Sequence, residues 1–330
     1  MAFSASYDNP SAPGTGAAVS NREDLTNILV QLDPVSSPLV SLLRRTKARN
    51  TSHEWTVDGL ASVNTDGILE GQDTTSFSDK FEGRARLSNV VQGFRRDYQV
   101  SQVQQAVDGV GPAGKSAAQV KCLRELKRDL EAAVYSANDK TVGSGSAAAK
   151  LRGFNDWLDS SGPSDVPSTY RTAAAQIITM SNAAVTEAKV SAALASMFNV
   201  SGSLSNVTLV ADTQGRDSIA NFMRAAHSGT ATRYSVSGTG KTVTLAVSLY
   251  ESDYGSISIA NSNPDTSPDT SFHDRALAVN LNHASIATLI PVKQVGLEDQ
   301  GGGSRGYCET WATLACHDPR AHASIDEVRS

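Results

Sequence analysis

The chain has 330 residues, 39% of them apolar and 6% aromatic, enough to bury a sizeable core in one large domain or two smaller ones. Its 29 basic and 34 acidic residues give a net charge of −5, which excludes a protein that grips nucleic acid mainly by neutralising phosphates, though not one that encloses it. Cys122, Cys308 and Cys316 form no paired framework and fit a reducing compartment. The chain opens without a basic-then-apolar leader and has no apolar run long enough to span a bilayer, so a cytoplasmic product without a membrane partner is expected.

Residues 1–20 are mostly Ser, Ala, Gly and Pro, the composition of a flexible tail whose simplest holder is a neighbouring chain. Ser20 or Asn21 then caps a short helix with Glu23 and Asp24 in its first turn and Leu25, Ile28, Leu29 and Leu32 on its apolar face. Pro34 ends it. Ser37–Pro38 starts a second helix with Leu39, Leu42 and Leu43 inward, and the basic run Arg44, Arg45, Lys47, Arg49 closes an arm spanning 1–49.

Residues 50–107 promise a poor core. Two extended stretches, Ser52–Val57 and Arg84–Val103, bracket a tip rich in Gly, Asp, Asn, Ser and Thr. Read as one long strand, the second has Arg84, Arg86, Ser88, Val90, Gln92, Phe94, Arg96 and Tyr98 on one side. The other side has Ala85, Leu87, Asn89, Val91, Gly93, Arg95, Asp97 and Gln99. Neither side is dry, and such a hairpin is marginal alone in water, so it is expected to project and find partners on another molecule. Gly67, Gly71, Gly83 and Gly93 would let it bend.

The clearest helix is Ser116–Asn138, where Leu123, Leu126, Leu130, Ala133 and Ala137 recur at spacings of three and four. The pairs Lys121–Glu125 and Lys127–Glu131 add a few tenths of a kcal/mol each, and a rod of roughly 35 Å results. Beyond the Gly143–Ala149 loop come a turn with Trp157, a helix Glu187–Phe198 capped by Thr186, a strand Val207–Ala211 and a helix Arg216–Arg224. Thr242–Tyr250, Ser256–Ala260, Ala276–Asn280, Ser285–Ile290 and Glu309–Cys316 read as strands, with a loop at Asn261–Thr270. The class is α+β with a mostly antiparallel sheet.

Several chemical motifs tempt and fall short. Gly240–Lys241–Thr242 resembles the end of a phosphate-binding loop, but position 235 is Ser where the pattern needs Gly, and Val243–Val247 alternates like a strand. Cys308, Cys316, His317 and His322 lack the close ligand couples of a zinc site. Cys122 beside the helical stripe reads as a small core residue, and Trp55, Trp157 and Trp311 as isolated packing anchors. No catalytic residue, cofactor or metal is expected. The basic run suits an acidic patch on a sister subunit better than nucleic acid.

Five stretches, in order and spacing, carry a resemblance: Ser37–Leu43, Lys47–Trp55, Leu126–Ala133, Tyr250–Gly255 and Glu309–His322. Together with the succession of tail, arm, polar hairpin, long helix and α+β body, the chain resembles the major capsid proteins of tailed bacteriophages, in particular those of the phage SU-ten kind. That family has the Hong Kong 97-type shell fold, shared with the capsid floor of herpesviruses. The resemblance implies an N-terminal arm (1–49), an extended loop (50–107), a peripheral domain with its spine helix (108–152), an axial domain with connections (153–270) and C-terminal strands returning to the peripheral domain (271–330).

It further implies a structural virion protein, made in the host cytoplasm, that self-assembles as pentamers and hexamers of an icosahedral shell around double-stranded DNA, without sequence-specific binding. Portal protein, and scaffold or decoration proteins, are the implied partners beyond further copies of the chain. Arg44, Arg45, Arg49, Trp55, Lys80, Phe81, Arg84, Arg86, Arg95 and Arg96 are the expected intersubunit contacts. Some relatives cross-link through a loop Lys; Lys80 lies in that region, but nothing marks its partner and no cross-link is expected. The rival readings are a tail or fibre adhesion module, which should show repeats or heptads, and a nucleotide-binding enzyme using Lys241.

Overall fold

In the computed structural model, residues 37–106, 114–159, 161–179, 186–211, 249–252, 254–261, 275–299 and 301–326 are described. The expected tail and first helix, the helix Arg216–Arg224, most of the strand Thr242–Tyr250, nearly all of the Asn261–Thr270 loop and the Lys241 turn lie outside them. Among the described residues the elements are, in order, α1 (Pro38–Leu42), β1 (Arg44–Lys47), β2 (Ser52–Val57), β3 (Ala85–Val90), β4 (Gln92–Ser101), α2 (Gln102–Ala106), α3 (Lys115–Tyr135) and α4 (Phe154–Trp157). They continue with β5 (Ile177–Thr179), α5 (Glu187–Ser201), β6 (Val207–Ala211), β7 (Leu249–Ser252), β8 (Gly255–Asn261), β9 (Arg275–Asn280), β10 (Ala284–Leu297), β11 (Gly303–Cys316) and β12 (Ala323–Asp326). Both the α+β class and the mostly antiparallel pairing agree with the sequence reading.

The long helix forms where its periodicity places it, but its buried stripe is rotated. Cys122, Leu126, Leu130 and Val134, each four apart, face the core, while Leu123 is exposed. A spacing of four drifts only slowly around a helix of 3.6 residues per turn, so these side chains stay on one sheet-facing line. Against that line lies a four-stranded sheet of order β1-β10-β11-β4, contributing Phe94, Tyr98, Cys308, Ala312 and Leu314 to the same core. Cys122 is the small core residue expected, and its Sγ donates to the Arg96 carbonyl at 3.1 Å.

The reading of Arg84–Val103 as one strand with no dry face is corrected. It is two strands that bury opposite parities. In β3, paired with β2, the odd positions Leu87 and Asn89 are buried; in β4, paired with β11, the even positions Phe94, Tyr98 and Val100 are buried. Val90 and Val91 are both buried where the side changes. Because strand side chains alternate with period two, an even-odd switch averages to a wet pattern on both sides when one register is imposed throughout. Gly93 is no hinge: a Cβ there would meet the Trp311 ring at 3.0 Å, so the glycine lets that ring lie on the strand.

β10 and β11 run well past their expected starts and ends as a long two-stranded arm. Pro291 reads as a breaker but falls at a register shift between Ile290 and Lys293, beyond the stretch where β1 covers that edge; proline is tolerated at such edges and bulges. The second body is a six-stranded sheet of order β5-β12-β9-β6-β8-β7. Helix α5 packs on one side through Val190, Leu194 and Met197, while Val210, Leu277 and Val279 turn to the first core. Burial on both sides explains why all five residues of β6, apolar except for Thr208, are buried. Residues 271–330 therefore serve both bodies: β10 and β11 the four-stranded sheet, β9 and β12 the six-stranded one. Among the described residues no helix is long and apolar enough to cross a membrane.

Candidate assembly surface

The hairpin of β2 and β3 leads out to a loop, 58–83, every residue of which is exposed. Its root is clamped. The Tyr170 hydroxyl donates to the Gly83 carbonyl at 2.5 Å, Arg84 binds Asp58 at 3.0 Å, and the Arg84 guanidinium lies 4.5 Å over the Phe81 ring. Along the loop, Leu60, Val63, Ile68, Leu69, Phe77 and, at the clamp itself, Phe81 are 62–103% exposed. Six large apolar side chains on one segment exceed ordinary surface scatter, and seating each on a partner would contribute roughly 1.5–3 kcal/mol.

The expected contact residues fall into three groups. Arg44, Arg45 and Arg49, with Lys47, are exposed and make no ion pair among the described residues. Lys80 and Phe81 sit exposed in the turn at the loop root. The remaining side chains engage their own subunit: Arg84 as above, Arg86 with Glu54 at 3.3 Å, Arg95 stacked 3.8 Å over Tyr307, and Arg96 in a two-pronged pair with Asp129 at 2.6 and 2.7 Å. Trp55 is half-buried, its ring 5.8 Å from that of Trp157 and 5.9 Å from His317. These two tryptophans are thus not isolated: they meet where the loop stem joins the body.

Trp311 is 36% exposed. Beside it, on the side of the sheet away from α3, a cleft of about 540 Å3 is lined by Thr51, Val91, Arg95, Val142, Ala148 and Trp311 among others. Ala48, between Lys47 and Arg49, packs on Val91 of that lining, so cleft and basic run are continuous.

Residues missed in the sequence fix this surface to the body. Asn89 is fully buried and uses its whole side chain: Nδ2 donates to the carbonyls of Arg152 and Leu314 at 3.0 and 2.7 Å, and Oδ1 accepts from the N–H groups of Val90 and Arg152, both at 2.8 Å. Arg152, 1% exposed, pairs with Asp139, Asp156 and Asp165. Burial opposes its charge, but its hydrogen bonds to Asp165 and Asp139 prevail and raise its pKa. Glu131 is no surface partner of Lys127. Its carboxylate accepts from the N–H groups of Leu39 and Val40 at 2.9 and 2.7 Å, capping α1 from 91 residues away, since Ser37 makes no cap bond. Burial, against those two bonds, lifts its pKa from 4.5 to about 7. The one available signal was position: residue 131 adjoins the buried line through Leu130 and Val134, where an unpaired charge demands a partner.

Of the Cys and His residues that suggest zinc, Cys316 and His322 are buried and His317 hydrogen-bonds Ser285 at 3.0 Å. His322 Nδ1 accepts from the Asn280 N–H at 3.1 Å, and burial pushes its pKa down to about 4.

Comparison with known proteins places this architecture. The profile of the SU10 major capsid protein family matches residues 12–329. Among solved structures, the capsid of cyanophage A-1(L) is similar with a TM-score of 0.68 at 13% identity, over 94% of this chain and 98% of that one. The structure titled Mycobacterium phage Bobi is similar at 0.61 and 13% identity, over 95% and 97%. The SrpI encapsulin of Synechococcus elongatus is similar at 0.54 and 11%, over 93% and 90%. No curated protein sequence matches the chain.

Proposed function

The chain belongs to the SU10 major capsid protein family, and from that membership we propose that it assembles as pentamers and hexamers of a closed icosahedral shell around packaged double-stranded DNA. It is a structural capsid shell protein with the Hong Kong 97-type fold. The finer reading has the subunit made in the host cytoplasm, with no chemistry of its own, enclosing DNA without reading it. A portal protein interrupts the lattice, and scaffold or decoration proteins are its other partners. The arm (1–49), the loop-bearing segment (50–107) and the axial region (153–270) each offer a contact to a different neighbour, that of 50–107 being the exposed loop 58–83 and not the buried strands β3 and β4. The spine region (108–152) and final strands (271–330) hold them together.

The observation that carries this reading is the 58–83 loop: clamped at its root, exposed throughout, and furnished with large apolar side chains that face water. A single standard contact of about 1,600 Å2 spends much of its gross gain on ordering. A subunit held by loop, arm and axial edge together gains effective concentration at each further contact, while one misplaced contact stays weak enough to release. Deleting Ile68–Phe81 tests the reading: the expected product is a folded subunit that forms no shells in negative-stain images. Shells of normal size from that variant would remove the loop's role.

A further inference from the structure

The basic run stands out among the charges of this subunit. Arg44, Arg45 and Lys47 on β1, and Arg49 just past it, are four exposed cations within six residues, without an ion pair among the described residues. Five other exposed or half-exposed cations are matched within the subunit: Arg84 by Asp58, Arg86 by Glu54, Arg96 by Asp129, Lys293 by Glu309 and Arg320 by Asp318. Lys115, Lys121, Lys150 and Lys189, unpaired among the described residues, stand singly along the chain and form no run. The 58–83 loop is its electrical opposite. Asp58, Asp66, Glu70, Asp73, Asp79 and Glu82 face a single cation, Lys80, and only Asp58 is paired, with Arg84 at the root. Carboxylates and large apolar side chains alternate along it, as cations and an apolar cleft adjoin on the body.

The loop does not satisfy this run within its own subunit. It is exposed from end to end, and its root lies beyond the six residues of β2, about 20 Å of extended chain from Ser52. We propose that the acidic loop of a second copy docks across Arg44, Arg45, Lys47 and Arg49, and seats its apolar side chains in the adjoining cleft beside Trp311. This rests on the shell-subunit reading above and adds to it the loop's receptor and the charges that select it. Opposite potentials speed encounter and set register, and like charges on a wrongly placed loop repel. The rival occupants are less suited. Residues 1–36 carry Asp8, Glu23, Asp24 and Asp33 against Arg22, a sparser set, and DNA phosphates would leave the apolar cleft unused.

Reciprocal charge reversal tests the docking. At about 0.15 M salt, R44E/R45E/K47E/R49E and D66K/E70K/D73K/D79K should each lower particle yield, counted by negative stain and mass photometry, by about tenfold or more. Mixing both sets in one chain should restore it to within about threefold of the unmodified protein. Circular dichroism and thermal melting check that each subunit folds. If the basic-to-acidic set does not fold, R44Q/R45Q/K47Q/R49Q replaces it, and its shells should show less loss on raising salt than the unmodified shells. Normal yield from either single set overturns the proposal, leaving the run as mere edge protection for β1. So does a combined variant no better than its parents. Normal shells that have lost their DNA would assign the run to phosphate and equally overturn it. Failure of the unmodified chain to form any shell would instead sink the shell reading itself.

Discussion

Residues 58–83 and 85–101 adjoin in sequence, yet they solve opposite problems. Every large apolar side chain of the loop faces water. In the strands that follow, Leu87, Val90, Val91, Phe94, Tyr98 and Val100 are each buried within the subunit. The loop is also acidic, whereas the strands carry cations already matched at home: Arg86 with Glu54, Arg95 on Tyr307, Arg96 with Asp129. The difference teaches that apolar content alone does not define a core. What matters is whether the backbone that carries it is fixed, and here fixation begins at the Tyr170 clamp and is completed at Asn89.

The comparison is broken most severely at Asn89. Replacing it with Ala removes two donors and one shared acceptor from four buried backbone groups. At about 1–3 kcal/mol for each group left unsatisfied, the unassembled subunit should lose roughly 4 kcal/mol in urea titrations. Loss below about 1 kcal/mol would mean the joint is not held there.

A subtler effect separates two of the body's buried titrating groups. Glu131 binds its proton more tightly folded than unfolded, near 7 against 4.5, because of burial. Its contribution is therefore full below pH 4.5 and fades as pH rises through 7. His322, lowered by burial from 6.5 to about 4, behaves oppositely: its contribution is full above pH 6.5 and is lost as pH falls through 4. Each is worth about 3 kcal/mol over its window, so between pH 4.5 and 6.5 they offset one another. In urea midpoints taken from pH 4 to 8, the difference between Glu131→Gln and the unmodified protein should therefore rise with pH, and that for His322→Asn should fall. Parallel profiles for all three proteins would rule out this opposition. On the loop side, Phe77→Ser should leave subunit stability within about 0.5 kcal/mol. A larger change in its melting curve would show that the loop packs on its own subunit.

Much of the body was legible. The long helix, α5 with its Thr186 boundary, β6 and β9 all announce themselves through period or composition, because each buries a continuous face. The two-strand division of 85–101 was hidden because an even-odd switch cancels the signal on which strand reading depends. The β10–β11 arm was hidden by Pro291 and by glycines such as Gly306, where a Cβ would come within 2.6 Å of the Tyr98 hydroxyl; these residues serve an edge and a close approach rather than a turn. Glu131 looked like half of a Lys127 pair because sequence shows neighbours four apart and conceals a partner 91 residues away. Of the expected contact residues, Arg84, Arg86, Arg95 and Arg96 were sought for their charge, and only coordinates could reveal that carboxylates and a ring of the same subunit already hold them.

The change of sides at Val90 and Val91 also has a mechanical meaning. A neighbour tugging the ribbon in line with β3 would pass its tension straight into β4, whose ten residue pairs with β11, from Ser101↔Gly303 to Gln92↔Ala312, would be sheared together instead of peeled one by one. Swelling of the container would thus load the sheet under α3 through all ten pairs at once.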